Sequence, residues 1–361
     1  MGKEVASSLE QIPRHPGRSG AAAEDILLLC REELSRLLHV SDPRQIVLCK
    51  NATEALNIAI QGMGFKNGDW VITSSGEHNS VLRPLYLLEQ KGNINIQIIP
   101  CDAQGRVIEQ KWHESINRYS PRLAILNHAS NVTGAVNPAG KLLNYARQRG
   151  CVTLLDASQT LGLMEIDADK TGADMVAFTG HKYLLGPPGT GGIYIKKGIE
   201  IEPVFVGGTG IRSDLKTMPP EMPGRLEPGT PPIPLFAGLL YSIGWQTQNP
   251  LPYKKMEMLT HTLEQGLIET GARVITVEKE RTPIISFSLP GWDIEETGYI
   301  LDKSFNVVCR TGLHCAPLIH RWIGTAPKGS IRFSISRFTS EEDVVYTLNA
   351  IKQLLKTNET D

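Results

Sequence analysis

Through the first half of the chain, short apolar runs alternate with stretches of helical periodicity, and several of the runs stop at a polar residue. Gln45–Cys49, Trp70–Thr73, Ile96–Ile99, Leu123–Leu126, Val152–Leu155, Met175–Phe178 and Gly192–Lys196 read as strands. Helices are predicted over 21–38, from Asn51 to Ile60, from about Asn79, over roughly 110–117 and over 140–148. That rhythm predicts an α/β fold with a mostly parallel, doubly wound sheet, and such sheets bind ligands at the carboxyl ends of their strands. His78, Asn131, Asp156 and Lys182 each follow or terminate a predicted strand. Four chemically able side chains at one sheet edge define a candidate site.

Bulk properties narrow the partners. The 361 residues allow two domains and a sizeable core. With 37 basic and 38 acidic residues the net charge is −1, so nucleic acid is disfavoured as a ligand. No apolar run approaches the ~18 residues of a membrane helix, and Met1–Ser7 lacks the apolar segment of an export signal. The six cysteines, at 30, 49, 101, 151, 309 and 315, form no Cys-x-x-Cys pair, which fits a reducing, cytoplasmic setting.

Residues 200–234 are rich in Gly and Pro, and an irregular segment of that length is usually functional or an oligomer contact. Gly207–Gly210 opens no helix and is not read as a nucleotide site. A long helix near Leu235–Gln248 precedes a second unit. Its predicted helices lie near 254–270, 295–303 and 341–356, and its strands at Arg273–Val277, Pro283–Leu289, Phe305–Cys309 and Ile331–Ser336.

The chemistry centres on Thr179-Gly-His-Lys182, where an apolar strand delivers a lysine into a Gly/Pro-rich turn. Lysine amines form Schiff bases when burial lowers their pKa. Asp156, on the preceding strand end, suits a ring nitrogen whose protonation makes a pyridine an electron sink. Asn51 with Glu54 marks a helix start, and its free N–H groups with the Thr53 and Thr179 hydroxyls suit a phosphate. Each signal has a bland reading: an exposed turn lysine, a plain helix cap. Together they describe pyridoxal phosphate.

Seven motifs occur in order along nearly the whole chain: Asn51-Ala-Thr-Glu-Ala-Leu-Asn57, Glu77-His-Asn-Ser80, Ser130-Asn-Val-Thr-Gly134, Asp156-Ala-Ser-Gln159, Thr179-Gly-His-Lys182, Gly312-Leu-His-Cys-Ala-Pro317 and Arg332-Phe-Ser334. They resemble the class V aminotransferase superfamily, and within it the cysteine desulfurase/selenocysteine lyase branch. The resemblance implies the fold-type I transferase architecture. Residues 1–248 would form an N-terminal arm and a large cofactor domain with a seven-stranded sheet. Residues 249–361 would form a smaller α+β domain carrying Cys315 and Arg332. It also implies roles. Lys182 would tether the cofactor, Asp156 pair with its ring nitrogen, and His78 stack on the ring. Asn131 and Gln159 would contact the ring or its O3′, and Thr53, Thr179 and His181 the phosphate, with Ala52 beside Thr53 in the cofactor site. Gly229-Thr230 would reach the neighbouring subunit's phosphate, making a homodimer with shared active sites. Arg332 would clamp the substrate carboxylate, with Asn131 beside it.

Cys315 separates the branches, because a desulfurase needs a thiolate beside cofactor-bound cysteine. It sits in a short loop next to His314 and near Arg310, neighbours expected to favour the thiolate. A core-packing role competes, as does a metal site of Cys309, His314, Cys315 and His320, whose spacing lacks a Cys-x-x-Cys knuckle. No metal is therefore expected, and the other cysteines are read as packing residues. The implied reaction takes L-cysteine to L-alanine and leaves a persulfide on Cys315. A dedicated acceptor protein would receive the sulfur, as in iron–sulfur cluster assembly. The alternatives are a selenocysteine lyase acting on L-selenocysteine, an aminotransferase or epimerase with Cys315 as bystander, and a truncated, non-catalytic dimeric homologue. The last arises because similar proteins open with a strand and a Leu-Asp-Asn-Ala-Ala-type turn that this sequence does not show, and because Ala21 replaces a polar residue. An upstream start or an incomplete substrate wall is the expectation there.

Overall fold

A computed structural model describes residues 21–357, together with Ala6 and Glu10. The expectations about the start of the chain lie outside the described residues. Seven strands form one sheet: β1 (Ile46–Cys49), β2 (Asp69–Ser74), β3 (Ile94–Ile99), β4 (Leu123–Asn127), β5 (Val152–Asp156), β6 (Met175–Thr179) and β7 (Gly191–Ile195). Their spatial order is β1-β7-β6-β5-β4-β2-β3. β3, β2, β4, β5 and β6 run parallel, and β7 is antiparallel to both its neighbours. The order reverses between β2 and β4, which opens the crevice where doubly wound sheets bind ligands.

The apolar runs are unbroken because the central strands are covered on both faces. Every residue of β4 and β6 is buried. Along β6, Val176 and Phe178 enter one core while Met175 and Ala177 enter the other, the two-residue alternation of a strand. Each fully buried Leu, Ile or Phe contributes about 1.5–3 kcal/mol relative to an exposed one, so polar chemistry is pushed to the strand ends. β7 opens with two glycines for a steric reason. A Cβ at Gly191 would lie 2.8 Å from the Asn51 Cα, so only glycine lets β7 pass the start of the helix Ala52–Gln61.

After β7 the chain runs irregularly, apart from a 3₁₀ turn at Gly224–Leu226, to the helix Ile233–Gln248. The remainder packs helices Tyr253–Glu269, Ile294–Phe305 and Glu341–Thr357 with an antiparallel sheet of β8 (Arg273–Val274), β9 (Ile284–Ser288) and β10 (Ile331–Ser334). Its core is separate and includes Leu263, Phe287, Ile331 and Ile351. The expected strand Phe305–Cys309 is not formed. Phe305 ends a helix, Asn306 caps it in the left-handed region at φ 51°, and Val308 is 78% exposed. This β-branched run meets no partner strand until Arg310, which bridges Arg332. β8 is likewise shorter than the expected 273–277.

Candidate active site

The loops after β2, β4, β5 and β6 and the start of the helix Ala52–Gln61 enclose a cavity of about 210 Å³. Ala52, Thr53, His78, Asn131, Asp156, Gln159, Thr179, His181 and Lys182, nine of the residues singled out from sequence, line it, and Arg310 closes it from the C-terminal unit. A larger groove of about 580 Å³ beside the helix Tyr253–Glu269 holds the Arg281–Glu264 ion pair and no residue of that set. Chemistry, not size, selects the smaller cavity.

Lys182 hangs from a turn closed by its own backbone. Gly180 N–H donates to Thr190 O at 2.8 Å, Gly186 N–H to Gly180 O at 2.8 Å, and Leu185 N–H to Lys182 O at 3.0 Å. Burial lowers the pKa of the Lys182 amine; Asp156 opposes this, while Arg332 and Arg310 add to it. Its amine has no hydrogen bond or ion pair among the described residues, so it is free for an electrophilic carbonyl.

Asp156, 7% exposed, accepts on Oδ1 from the Ser158 N–H at 2.9 Å and the Ser158 hydroxyl at 2.5 Å. Oδ2 accepts no hydrogen bond among the described residues. A buried carboxylate in that state calls for a cationic N–H from a ligand. His78 caps the helix Asn79–Gln90: its Nδ1 accepts from the Ser80 N–H at 3.0 Å, which places any proton of the neutral ring on Nε2. Burial lowers the His78 pKa against the pull of Asp156, keeping the ring neutral. Ser80 Oγ lies 2.8 Å from His78 Nδ1 and 2.7 Å from Thr53 Oγ1, so one hydroxyl ties the ring residue to the phosphate-suited turn. That turn is a capped helix start: Asn51 Oδ1 accepts from the Glu54 N–H at 3.0 Å, leaving the N–H groups of Ala52 and Thr53 without intrahelical acceptors. Thr179 Oγ1 lies 2.9 Å from His181 Nδ1.

Arg332 stands one step back from the lining. Its Nη1 donates to Asn131 O at 2.7 Å, and its Nε is buried without a partner. Cys315 is half-buried, with Sγ 3.2 Å from Arg310 Nη2. One guanidinium thus lines the lysine cavity and touches the thiol. The expected help from His314 is not found. His314 is 2% exposed, its Nε2 pairs with Ser330 Oγ at 3.0 Å, and burial with the charges of Arg332, His320 and Arg310 presses its pKa to about 3, so it brings no charge to the sulfur. Among the described residues no three His, Cys, Asp or Glu side chains converge as a metal site. Cys30, Cys49, Cys101 and Cys151 are buried, whereas Cys309 is only half-buried. Thr230 does not line the cavity; it is exposed on the irregular segment before the helix Ile233–Gln248.

Ser80, Asn127 and Ser158 also line the site and were not assigned a place in it from sequence, whereas Arg310 was expected only beside Cys315. Ser80 and Ser158 fall inside quoted motifs, so their order was visible and their contacts were not. Glu77, just before His78, is fully buried. Its Oε1 accepts from Ser74 Oγ at 2.7 Å and the Asn127 N–H at 3.0 Å, Oε2 has no partner, and burial raises its pKa to about 8.

The strand-end lysine, buried aspartate and helix-start anion cradle agree with a family match that runs along the chain. The profile described as "Aminotransferase class-V" covers residues 3–346, and the chain belongs to that family, whose members are pyridoxal-phosphate-dependent enzymes. More narrowly, it is 30% identical over 357 residues to a protein of Methanothermobacter thermautotrophicus described as "Probable cysteine desulfurase", covering 94% of this chain and 88% of that one. A Pyrococcus abyssi protein of the same description is 31% identical, covering 86% and 79%. The apo structure of a cysteine desulfurase from Thermococcus onnurineus superposes with a TM-score of 0.90 at 27% identity, covering 98% and 92%. The residues present fit the cofactor: a free amine, an aspartate oxygen without a donor, and open N–H groups beside Thr53 and Thr179.

Proposed function

We propose that this chain is a pyridoxal-phosphate-dependent cysteine desulfurase that converts L-cysteine to L-alanine and holds the sulfur as a persulfide on Cys315. The observation that carries the reading is Arg310, which lines the cavity of Lys182 and donates to the Cys315 sulfur. An aminotransferase or epimerase has no use for a thiol at that edge. When bound, the cofactor supplies an electrophilic carbon for amines and an electron sink for the charge left at Cα. Lys182 would tether it, Asp156 Oδ2 would accept the ring N–H, and His78 would lie against the ring. Asn131 and Gln159 would contact the ring or O3′, while Ala52, Thr53, Thr179 and His181 would hold the phosphate. Arg332, with its unpartnered Nε, would take the substrate carboxylate. The Lys182 amine would accept the Cα proton. The Cys315 thiolate then attacks the substrate sulfur. The Cβ–S bond breaks, an S–S bond forms, the electron pair left at Cβ takes up a proton, and Lys182 returns its proton to Cα to give alanine.

The surroundings support partners. Phe205, Val206 and Ile211 are 51, 76 and 51% exposed on the segment that leads to Thr230, which fits a second copy of the chain covering that segment and receiving Thr230 at its own cofactor. The short Cys315 loop fits a separate sulfur-acceptor protein that comes to the thiol, as cluster assembly would require. L-selenocysteine would bind the same groups. The division into a cofactor domain to residue 248 and a smaller domain from 249 belongs to this reading. No helix among the described residues is long and apolar enough to cross a membrane; a cytoplasmic setting is part of the proposal. The test is turnover: the cofactor-loaded protein with L-cysteine and a reductant should yield equal alanine and sulfide, and Cys315→Ala should yield neither. Undiminished turnover in that variant rules out the persulfide role.

A further inference from the structure

The loop bearing Cys315 contains two consecutive non-glycine residues in the left-handed region, His314 at φ 51° and Cys315 at φ 60°. Side chains resist that conformation, so neighbours must impose it. Those neighbours come from two sides. On one, Gly312 and Ser330 exchange backbone hydrogen bonds, both 3.1 Å. Gly329 lies so close that a Cβ there would come within 2.1 Å of Gly312 O. On the other, His314 O accepts from Asn131 Nδ2 at 2.7 Å and Cys315 O accepts from the Asn79 N–H at 2.7 Å. Asn79 begins the helix that His78 caps, so the cysteine backbone is latched to the element presenting the ring histidine.

The His314 imidazole occupies the middle of this clasp. It is 2% exposed, 3.0 Å from Ser330 Oγ through Nε2, and its Nδ1 is buried without a partner. Among the described residues no hydrogen bond links its ring to the sulfur, whose polar neighbour is Arg310 at 3.2 Å. A large polar side chain buried there with only one hydrogen bond needs a use beyond packing.

We propose that His314 is the positioning residue for the reactive thiol. Pinned to Ser330, its imidazole holds Cys315 in the left-handed conformation that sets Sγ beside Arg310 at the mouth of the lysine cavity. It acts through Cys315 and exchanges no proton with the substrate. The inference rests on reading Cys315 as the persulfide carrier.

Single-turnover persulfide formation on the cofactor-loaded enzyme tests it, with Cys315→Ala as the reference for that reading. His314→Ala should slow persulfide formation roughly 10²-fold, the scale of an ångström-sized misplacement, with KM for L-cysteine and the cofactor absorption unchanged. His314→Gln should recover much of the rate, because the glutamine amide extends as far as Nε2 and can keep the hydrogen bond to Ser330. Ser330→Ala, a gentler change, should slow the step in the same direction. Wild-type rates in both His314→Ala and Ser330→Ala, with Cys315→Ala inactive, overturn the positioning role alone. Equal losses in His314→Ala and His314→Gln accompanied by loss of cofactor absorption also overturn it, in favour of a purely structural role. Full activity in Cys315→Ala overturns the underlying reading.

Discussion

The two halves of the site are built by different physics. On the lysine side, the reactive groups stand at the ends of buried parallel strands, where the sheet positions them and each turn closes on its own backbone. On the thiol side no strand carries the nucleophile. Cys315 is held by a loop in the left-handed region, clasped between the backbone at Gly312 and Ser330 and the amide groups of Asn79 and Asn131. The sheet side is rigid through burial of many apolar residues, whereas the loop side depends on a handful of polar contacts. Changes on the first should abolish cofactor chemistry, and changes on the second should slow sulfur capture while sparing the cofactor.

That contrast orders the expected effects. Lys182→Ala should remove both turnover and the lysine-dependent absorption band; a variant that keeps the band would place the tether elsewhere. Asp156→Asn should keep the band but lower alanine formation by roughly 10²–10³-fold, the scale for losing one preorganised electrostatic group, as read by steady-state kinetics. Arg310→Met, which removes the 3.2 Å contact to the Cys315 sulfur, should keep the lysine-dependent band and slow persulfide formation in a single turnover by roughly 10²-fold, the scale of a misplaced reacting group. An unchanged rate would separate Arg310 from the sulfur. The smallest effect concerns Glu77, buried behind the cavity. Its folded pKa of about 8 lies above the ordinary 4.5, so its contribution to stability is complete below the ordinary value and is lost as pH rises through about 8. Glu77→Gln should flatten the dependence of Tm on pH between those values, and an equally steep dependence would show that Glu77 does not titrate there.

The sheet side was largely legible in the sequence. Each central strand was an apolar run ending in a polar residue, and burial on both faces leaves few other ways to fold Leu123–Leu126 or Met175–Phe178. Asp156, Lys182, His78 and Asn131 share one cavity for that reason. The thiol side was less legible. The run from Phe305 to Cys309 has strand propensity, yet propensity yields to tertiary context, and a left-handed cap at Asn306 sends it past the sheet. Left-handed His314 and Cys315 leave no mark in the sequence, because the glycine that advertises the turn is Gly312. The relation between Cys315 and His314 was accordingly misread: adjacency in the chain implied a charge beside the sulfur, while the fold turns that ring to Ser330. Thr230, whose expected place is in a second subunit, lies away from the cavity of its own chain.

The most direct test is the mass of the Cys315 peptide after the cofactor-loaded protein meets one equivalent of L-cysteine without reductant, with alkylation to preserve any persulfide. The account predicts one additional sulfur atom on that peptide, matched by an equal amount of alanine. Alanine formed with no added sulfur on Cys315, or with the sulfur on Cys309 instead, would contradict it.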